Sequence, residues 1–234
     1  MIAENIQKIR ERVVLACRKA GRDPADVRIV AVSKTFPPHR IEEAVRGGIV
    51  DIGENYIQEL LEKRKAVGSL PVHWHFVGHL QTNKVKYIAE WIHLIHSVER
   101  VGLAREIDKR AAQSGRVIEV LVEVNTTGED TKFGVRPVDT VAFVRQLEEF
   151  RHVRVAGLMT LGPFLPDPEG SRPMFKTLRK LKDELVGLRQ ENTVPQHLSM
   201  GMSGDFEVAI EEGATIIRIG TAFFGRRHKP QEVL

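Results

Sequence analysis

Cysteine is almost missing from this 234-residue sequence. Cys17 stands alone, so no internal disulfide can form and nothing argues for an oxidising compartment. Aromatic residues are also scarce, at 6%, and Tyr56 and Tyr87 are the only two tyrosines. No apolar run reaches the length of a membrane span. The start, Met1 to Lys8, lacks the apolar stretch of a secretory signal. A segregated excess of one charge is lacking too. The net charge is +4, but basic residues alternate with acidic ones, as in Lys176, Arg179, Lys180, Lys182, Asp183 and Glu184. The densest basic run, Arg226-Arg227-His228-Lys229, has no interleaved aromatics. These absences argue against a disulfide scaffold, a membrane protein and a nucleic-acid binder, and make the cytoplasm the expected location.

What is present is an ordinary globular composition, 42% hydrophobic and 28% charged, with enough length for a full core. The spacing of Ile6, Ile9, Val13 and Ala16 or Cys17 predicts an amphipathic helix over about 3–20, closed by Gly21. Short apolar runs then alternate with helical stretches. Strands are expected near 27–33, 49–52, 73–77, 93–96, 117–124, 153–159, 197–199 and 215–219. Helices are expected near 38–47, 54–66, 81–90, 99–114, 137–149, 170–191 and 203–212. The pattern predicts an α/β protein, a (β/α)8 TIM-type barrel with an extra N-terminal helix, in one domain over 1–234. A doubly wound open sheet is the competing architecture. Closure of the barrel would bring the end of strand one beside strand eight.

Lys34 ends the first of these runs, Val27 to Thr35. An amine at the mouth of an apolar core is disfavoured as the ammonium form, which exposes a nucleophilic lone pair. A lysine that closes a strand and reaches to water is the plainer alternative. Barrel closure would set Lys34 beside Ile217-Arg218-Ile219-Gly220-Thr221. Gly220 and Thr221 suit an anion through adjacent backbone N–H groups. The loop Leu198-Ser199-Met200-Gly201-Met202-Ser203-Gly204-Asp205 adds hydroxyls and a helix start, with Ser203 an alternative N-cap. A lysine nucleophile, a phosphate cradle and a barrel-end arginine together describe a pyridoxal 5′-phosphate (PLP) pocket.

Six runs in order carry a family resemblance: Ala31 to Thr35, Gly53 to Glu59, His75 to Lys84, Gly157 to Thr160, Leu198 to Ser203 and Arg218 to Gly225. They closely resemble the pyridoxal phosphate homeostasis protein family, a single-domain barrel related to the N-terminal domain of alanine racemase. The resemblance implies that Lys34 carries the cofactor as an internal aldimine. It implies that Ser199 or Ser203, with the backbone of Gly220 and Thr221, holds the phosphate, that Arg218 faces the pyridine nitrogen, and that Asn55, Met200 and His79 line the pocket. The partners it implies are PLP, free amino acids and PLP-dependent apoenzymes as recipients, with the chain a monomer or weak homodimer.

An arginine at the ring nitrogen opposes its protonation and weakens the ring as an electron sink, which disfavours transamination and decarboxylation. Racemisation needs acid–base groups on both faces of the substrate carbon. In the racemases the second is a tyrosine from a further domain, for which the sequence after strand eight leaves no room. The expectation is a protein that holds PLP and takes part in vitamin B6 homeostasis without turnover. A PLP-dependent amino-acid racemase, a class I aldolase-type enzyme attacking through Lys34, and a pure interaction protein are the rivals. The loop Gly162 to Glu169 either gates the pocket or is a passive surface loop. His73 and His75 share a strand face and read as satisfied strand histidines. His93 and His96 alternate faces and support no metal site, Cys17 reads as core, and Glu54, Glu59 and Glu99 read as helix-start charge.

Overall fold

The computed structural model describes residues 2–129, 131–162, 165–188 and 191–225. The basic run 226–229 lies outside the described residues, as do Pro163 and Phe164 of the proline-rich loop. Helix α1 (Ile2–Lys19) buries Ile2, Ile6, Ile9, Val13, Ala16 and Cys17 along one stripe. Gly21, at φ +63°, then turns the chain into β1 (Arg28–Val32).

Strands and helices then alternate: α2 (Pro38–Arg46), β2 (Asp51–Glu54), α3 (Ile57–Val67), β3 (His73–Phe76), a 3-10 helix (Thr82–Tyr87), β4 (Leu94–Val98), α4 (Val101–Gln113), β5 (Ile118–Glu123), α5 (Thr140–Gln146), β6 (Val153–Met159), α6 (Arg172–Val186), β7 (Thr193–Ser199), α7 (Phe206–Glu211), β8 (Ile216–Ile219) and α8 (Thr221–Phe224). All eight strands pair in parallel and in sequence order, and the sheet closes into a barrel. The closing pair aligns Arg28 with Ile216 and Ala31 with Ile219. The expected (β/α)8 fold with an additional N-terminal helix is therefore present. Val30, Leu94, Leu121, Ala156, Met159 and Ile216 form a small cluster of their own inside the barrel, apart from the large core between sheet and helices. Among the described residues no helix is long and apolar enough to cross a membrane.

Helix α1 packs across the barrel seam, against α2, α7 and α8. Asn5 donates to the Phe223 carbonyl at 3.0 Å, and Arg22 donates to the carbonyls of Ile210 and Ala214 at 2.7 and 2.8 Å.

Local departures from the sequence reading have local causes. The second strand begins at Asp51, because the amides of Gly48 and Ile49 bond back to the end of α2. Glu54 and Asn55 consequently leave the expected helix 54–66, and Glu54 ends β2. The stretch expected as helix 81–90 is a 3-10 turn, in which Lys84 and Ile88 bond three residues back. The seventh strand extends back to Thr193.

Candidate functional site at the barrel mouth

Two residues past β1, Lys34 sits half-buried in the turn Ser33–Phe36, which closes with the Phe36 amide donating to the Ser33 carbonyl at 3.0 Å. Thr35 has φ +69°, alone among the described non-glycine residues in lying at positive φ. A β-branched residue there stores strain and persists only where its surroundings hold it. Glu59 supplies the hold by accepting from the Thr35 amide at 2.8 Å. Lys63, 4% exposed, donates to the Ser33 carbonyl and to Glu54 Oε1 at 2.7 Å each, and to Glu59 Oε2 at 2.9 Å. Its three donors thus have three acceptors. Burial pushes the Glu54 carboxyl up against the pull of Lys63. For Glu59 burial is outweighed by the Thr35 amide and Lys63, which hold it below its usual value, with Lys34 adding to the pull. Glu54 and Glu59 are therefore not simply helix-start charges. They anchor the turn that carries Lys34.

The loops after β7 and β8 meet at the same end of the barrel. Beyond β8, Gly220 occupies the N-cap position of α8. A Cβ added at Gly220 would meet only Val32, at 3.5 and 3.9 Å, so packing within the chain does not demand glycine. A side chain there would stand in ordinary contact with Val32 at the end of β1. Ser203 Oγ accepts from the Ala222 amide at 3.4 Å, which joins the β7 and β8 loops. Ser203 is not the cap of α7, contrary to one sequence alternative. Asp205 takes that position and accepts from the Met202 amide at 2.7 Å. Gly201, at φ +91°, lets its loop press onto α7, since a Cβ would stand 2.6 Å from that of Ala209.

Arg218 rises from β8 into the barrel and is 4% exposed. It donates through Nη1 to Ser199 Oγ at 2.6 Å and through Nη2 to the Thr160 carbonyl at 2.8 Å. Burial lowers its pKa to about 10, opposed by the charges of Asp205 and Glu123, so it stays a cation at neutral pH. Ser199 is fully buried and its hydroxyl is committed inside the barrel, whereas Ser203 stands at the start of α8. Met200 does not present its side chain to the mouth as expected. That side chain belongs to the large outer core, while the backbone amide ties β7 to β8 through Ile216.

On the other side of the mouth, a cavity of about 560 Å³ is lined by Asn55, Tyr56, His79, Glu123, Phe133 and Leu161, among others. The buried Oδ1 of Asn55 has no hydrogen-bond partner among the described residues. Asn55 is held by close approach of Gly78, whose hypothetical Cβ would collide with the Asn55 carbonyl. His79 stacks on Phe133 with ring centroids 3.9 Å apart, and its Nδ1 lies 3.2 Å from Glu99. Glu99 also binds Arg100 and the Gly134 amide, so it too is more than helix-start charge. Glu123 was not anticipated. Burial, then repulsion from Glu99, raises its pKa to about 7. The available signal was its place at the C-terminal end of the apolar run Val120–Val124, the same logic that singled out Lys34.

The histidines also depart from expectation. His93 and His96 both pack on His75, with ring centroids 5.2 Å away in each case. What they share is the ring of His75, which β3 places between them. Asp51, His75 and His93 bring donor atoms within 4.8 Å of one another, a spacing compatible with a metal ion. However, Arg28 places its guanidinium 3.5 Å from His93 Nε2 and 3.9 Å from Asp51, where it opposes a second cation.

Comparison with known proteins decides the family. The model of the alanine racemase N-terminal domain matches residues 2–228. The pyridoxal phosphate homeostasis protein of Aquifex aeolicus is 49% identical over 224 residues, which cover 96% of this chain and 97% of that one. The chain belongs to the pyridoxal phosphate homeostasis protein family. A second member of that family, from Pseudomonas aeruginosa, is 41% identical over 227 residues, with 97% and 96% of the two chains covered. Among solved structures, PipY of Synechococcus elongatus with PLP bound superposes with a TM-score of 0.83 at 32% identity, covering 96% of this chain and all of that one. The homeostasis-protein motifs of the sequence fall on the barrel mouth: Lys34 after β1, Asn55 after β2, His79 after β3, the Ser199–Ser203 run after β7 and Gly220 after β8.

Proposed function

We propose that this homeostasis-family protein binds pyridoxal 5′-phosphate at the barrel mouth, holds it reversibly on Lys34 and serves vitamin B6 homeostasis in the cytoplasm without carrying a reaction through. One observation supports this above the rest: β1 closes on β8 with Val30 beside Arg218 and Ala31 beside Ile219, so the turn that carries Lys34 and the Gly220-Thr221 start of α8 leave neighbouring strands at the same end of the barrel. The residues suit the group. The side-chain-free backbone at Gly220, which an anion can approach closely, and the hydroxyl of Ser203 beside α8 fit a phosphate, and the Oδ1 of Asn55, unpartnered among the described residues, fits a ligand donor. When bound, PLP supplies an aldehyde that condenses reversibly with a primary amine and a ring that withdraws electrons from it.

Lys34 is the attaching amine, held by the strained turn beneath it. Ser203 with the backbone of Gly220 and Thr221 binds the phosphate, and Ser199 acts on Arg218 instead. Arg218 turns two donors inward and keeps further N–H groups for an acceptor at the mouth, where its charge opposes protonation of a ring nitrogen. Asn55 and His79 shape the opposite wall. Free amino acids fit as amines that displace Lys34, and PLP-dependent apoenzymes as recipients.

A second reading has its own observation. Glu123 lines the same mouth with a pKa raised to about 7, so it can exchange a proton near neutral pH, as a racemase-type enzyme would require. Tyr56 and Tyr87 are poorer candidates, at 58% and 43% exposed. The test is an absorption spectrum of the protein with added PLP, followed by borohydride and peptide mass analysis, beside Lys34→Ala. A near-visible band with reduced cofactor fixed on Lys34, lost in the variant, supports the holder. A colourless protein without adduct overturns it. Exchange of amino-acid α-protons with deuterated solvent would favour the second reading.

A further inference from the structure

Arg218 is the upper end of a hydrogen-bonded chain that crosses the barrel interior. Ser199 Oγ, which receives the Arg218 N–H at 2.6 Å, lies 3.0 Å from His96 Nδ1. His96 Nε2 lies 2.9 Å from His75 Nδ1, and His75 Nε2 lies 2.9 Å from Asp51 Oδ1. Ser199, His96 and His75 are all fully buried. The members come from β2, β3, β4, β7 and β8, so the chain runs from the N-terminal floor of the barrel to its functional mouth.

The two ends fix the order of every proton between them. A guanidinium only donates, so Ser199 must accept from Arg218. At the other end, the contact with His75 and the charges around it hold Asp51 below the usual carboxylate range despite burial. An ionised carboxylate only accepts, so His75 must donate to it from Nε2. Burial lowers the pKa of both His75 and His96, which leaves each neutral with a single N–H. His75 Nδ1 is then bare and accepts from His96 Nε2–H. His96 Nδ1 is bare in turn and accepts the Ser199 hydroxyl proton. The reverse order would set a bare His75 nitrogen against a carboxylate.

We propose that Asp51, His75, His96 and Ser199 are positioning residues for Arg218, joined in a one-way chain whose acceptors all face the guanidinium. Among the described residues no carboxylate oxygen forms an ion pair with Arg218, so the aligned lone pairs of this chain and the Thr160 carbonyl are what hold the cation. The chain fixes the rotation of the guanidinium and turns its remaining N–H groups to the mouth. This deepens the proposed function and rests on Arg218 as the group that meets the ring nitrogen.

The test begins with the ligand-free protein, carrying nitrogen-15 in its histidines. Imidazole NMR at neutral pH is expected to find His75 and His96 both neutral and protonated on Nε2. In Asp51→Asn the foot becomes an amide that can donate as well as accept, and both histidines are expected to lose their single tautomer. Ser199→Ala cuts the chain next to Arg218. It is expected to leave both tautomers intact, to shift the absorption of bound PLP and to weaken PLP retention about tenfold, the lower end of losses seen when outer residues around a bound centre are removed. An Nδ1–H tautomer at either histidine of the parent would overturn the proposal. So would unchanged tautomers in Asp51→Asn, or an unchanged PLP spectrum and retention in Ser199→Ala. A protein that binds no PLP overturns the proposed function instead, and the tautomer result stands apart from it.

Discussion

Lys63 and Arg218 are equally buried cations, at 4% exposure each, and the barrel treats them in opposite ways. Lys63 has its compensation in contact: two carboxylates and a carbonyl use all three of its protons. Nothing is left over for a ligand, and its work is done on the turn that carries Lys34. Among the described residues Arg218 hydrogen-bonds to neutral oxygens, while the carboxylates of Asp205 and Glu123 act on it from a distance. Its charge is stabilised but not spent. A cation neutralised in contact builds the scaffold, and one neutralised at a distance remains available to an anion or an acceptor.

The sharpest way to break this contrast is Lys63→Met, which keeps the bulk and removes the charge. It leaves Glu54 buried and unpaired and is expected to cost about 3–5 kcal/mol. Denaturant unfolding measures it, and a loss below about 1 kcal/mol would contradict the structural role. Next in size is Glu123→Gln. Its folded pKa, about 7, lies above the ordinary value of 4.5, so the protonated group's full contribution is present below pH 4.5 and is lost as pH rises through 7. The ligand-free parent is expected to lose on the order of 3 kcal/mol across that window relative to the glutamine variant. Parallel stability curves for the two would sink this assignment.

Arg218→Met is expected to destabilise less than Lys63→Met, by about 1–2 kcal/mol, because it strands two neutral acceptors and no buried ion. PLP retention should nevertheless collapse in it. The reverse ranking of the two variants would erase the contrast. Smallest is Ser203→Ala, expected to change stability by less than about 0.5 kcal/mol. Equilibrium dialysis should find its PLP retention weakened several-fold, and retention equal to the parent's would remove Ser203 from the phosphate site.

The barrel was legible because its strands are short apolar runs separated by amphipathic helices. Lys34, Arg218 and Gly220 were legible because each ends such a run. Lys63 was not, since on a helix between Glu62 and Arg64 it reads as solvated charge. Only the Ser33 carbonyl and Glu54, brought in by β1 and β2, make it a buried group. Strict alternation separates His93 from His96, and the ring that gathers both, His75, comes from another strand and so is invisible in the pattern of this one. Ser203, a phosphate candidate with a helix cap as its alternative, meets Ala222, which lies 19 residues away across a loop crossing.

The pairing of β1 with β8 has a consequence for biosynthesis. Lys34 emerges with the first strand, and Arg218, Gly220 and Thr221 emerge with the last. A nascent chain therefore has the proposed attaching amine long before it has the proposed cradle, and such sequence-distant pairings form late in folding. Helix α1 must also wait, since α7 and α8 form much of its bed. On the proposed function, cofactor capture is thus reserved for the finished polypeptide.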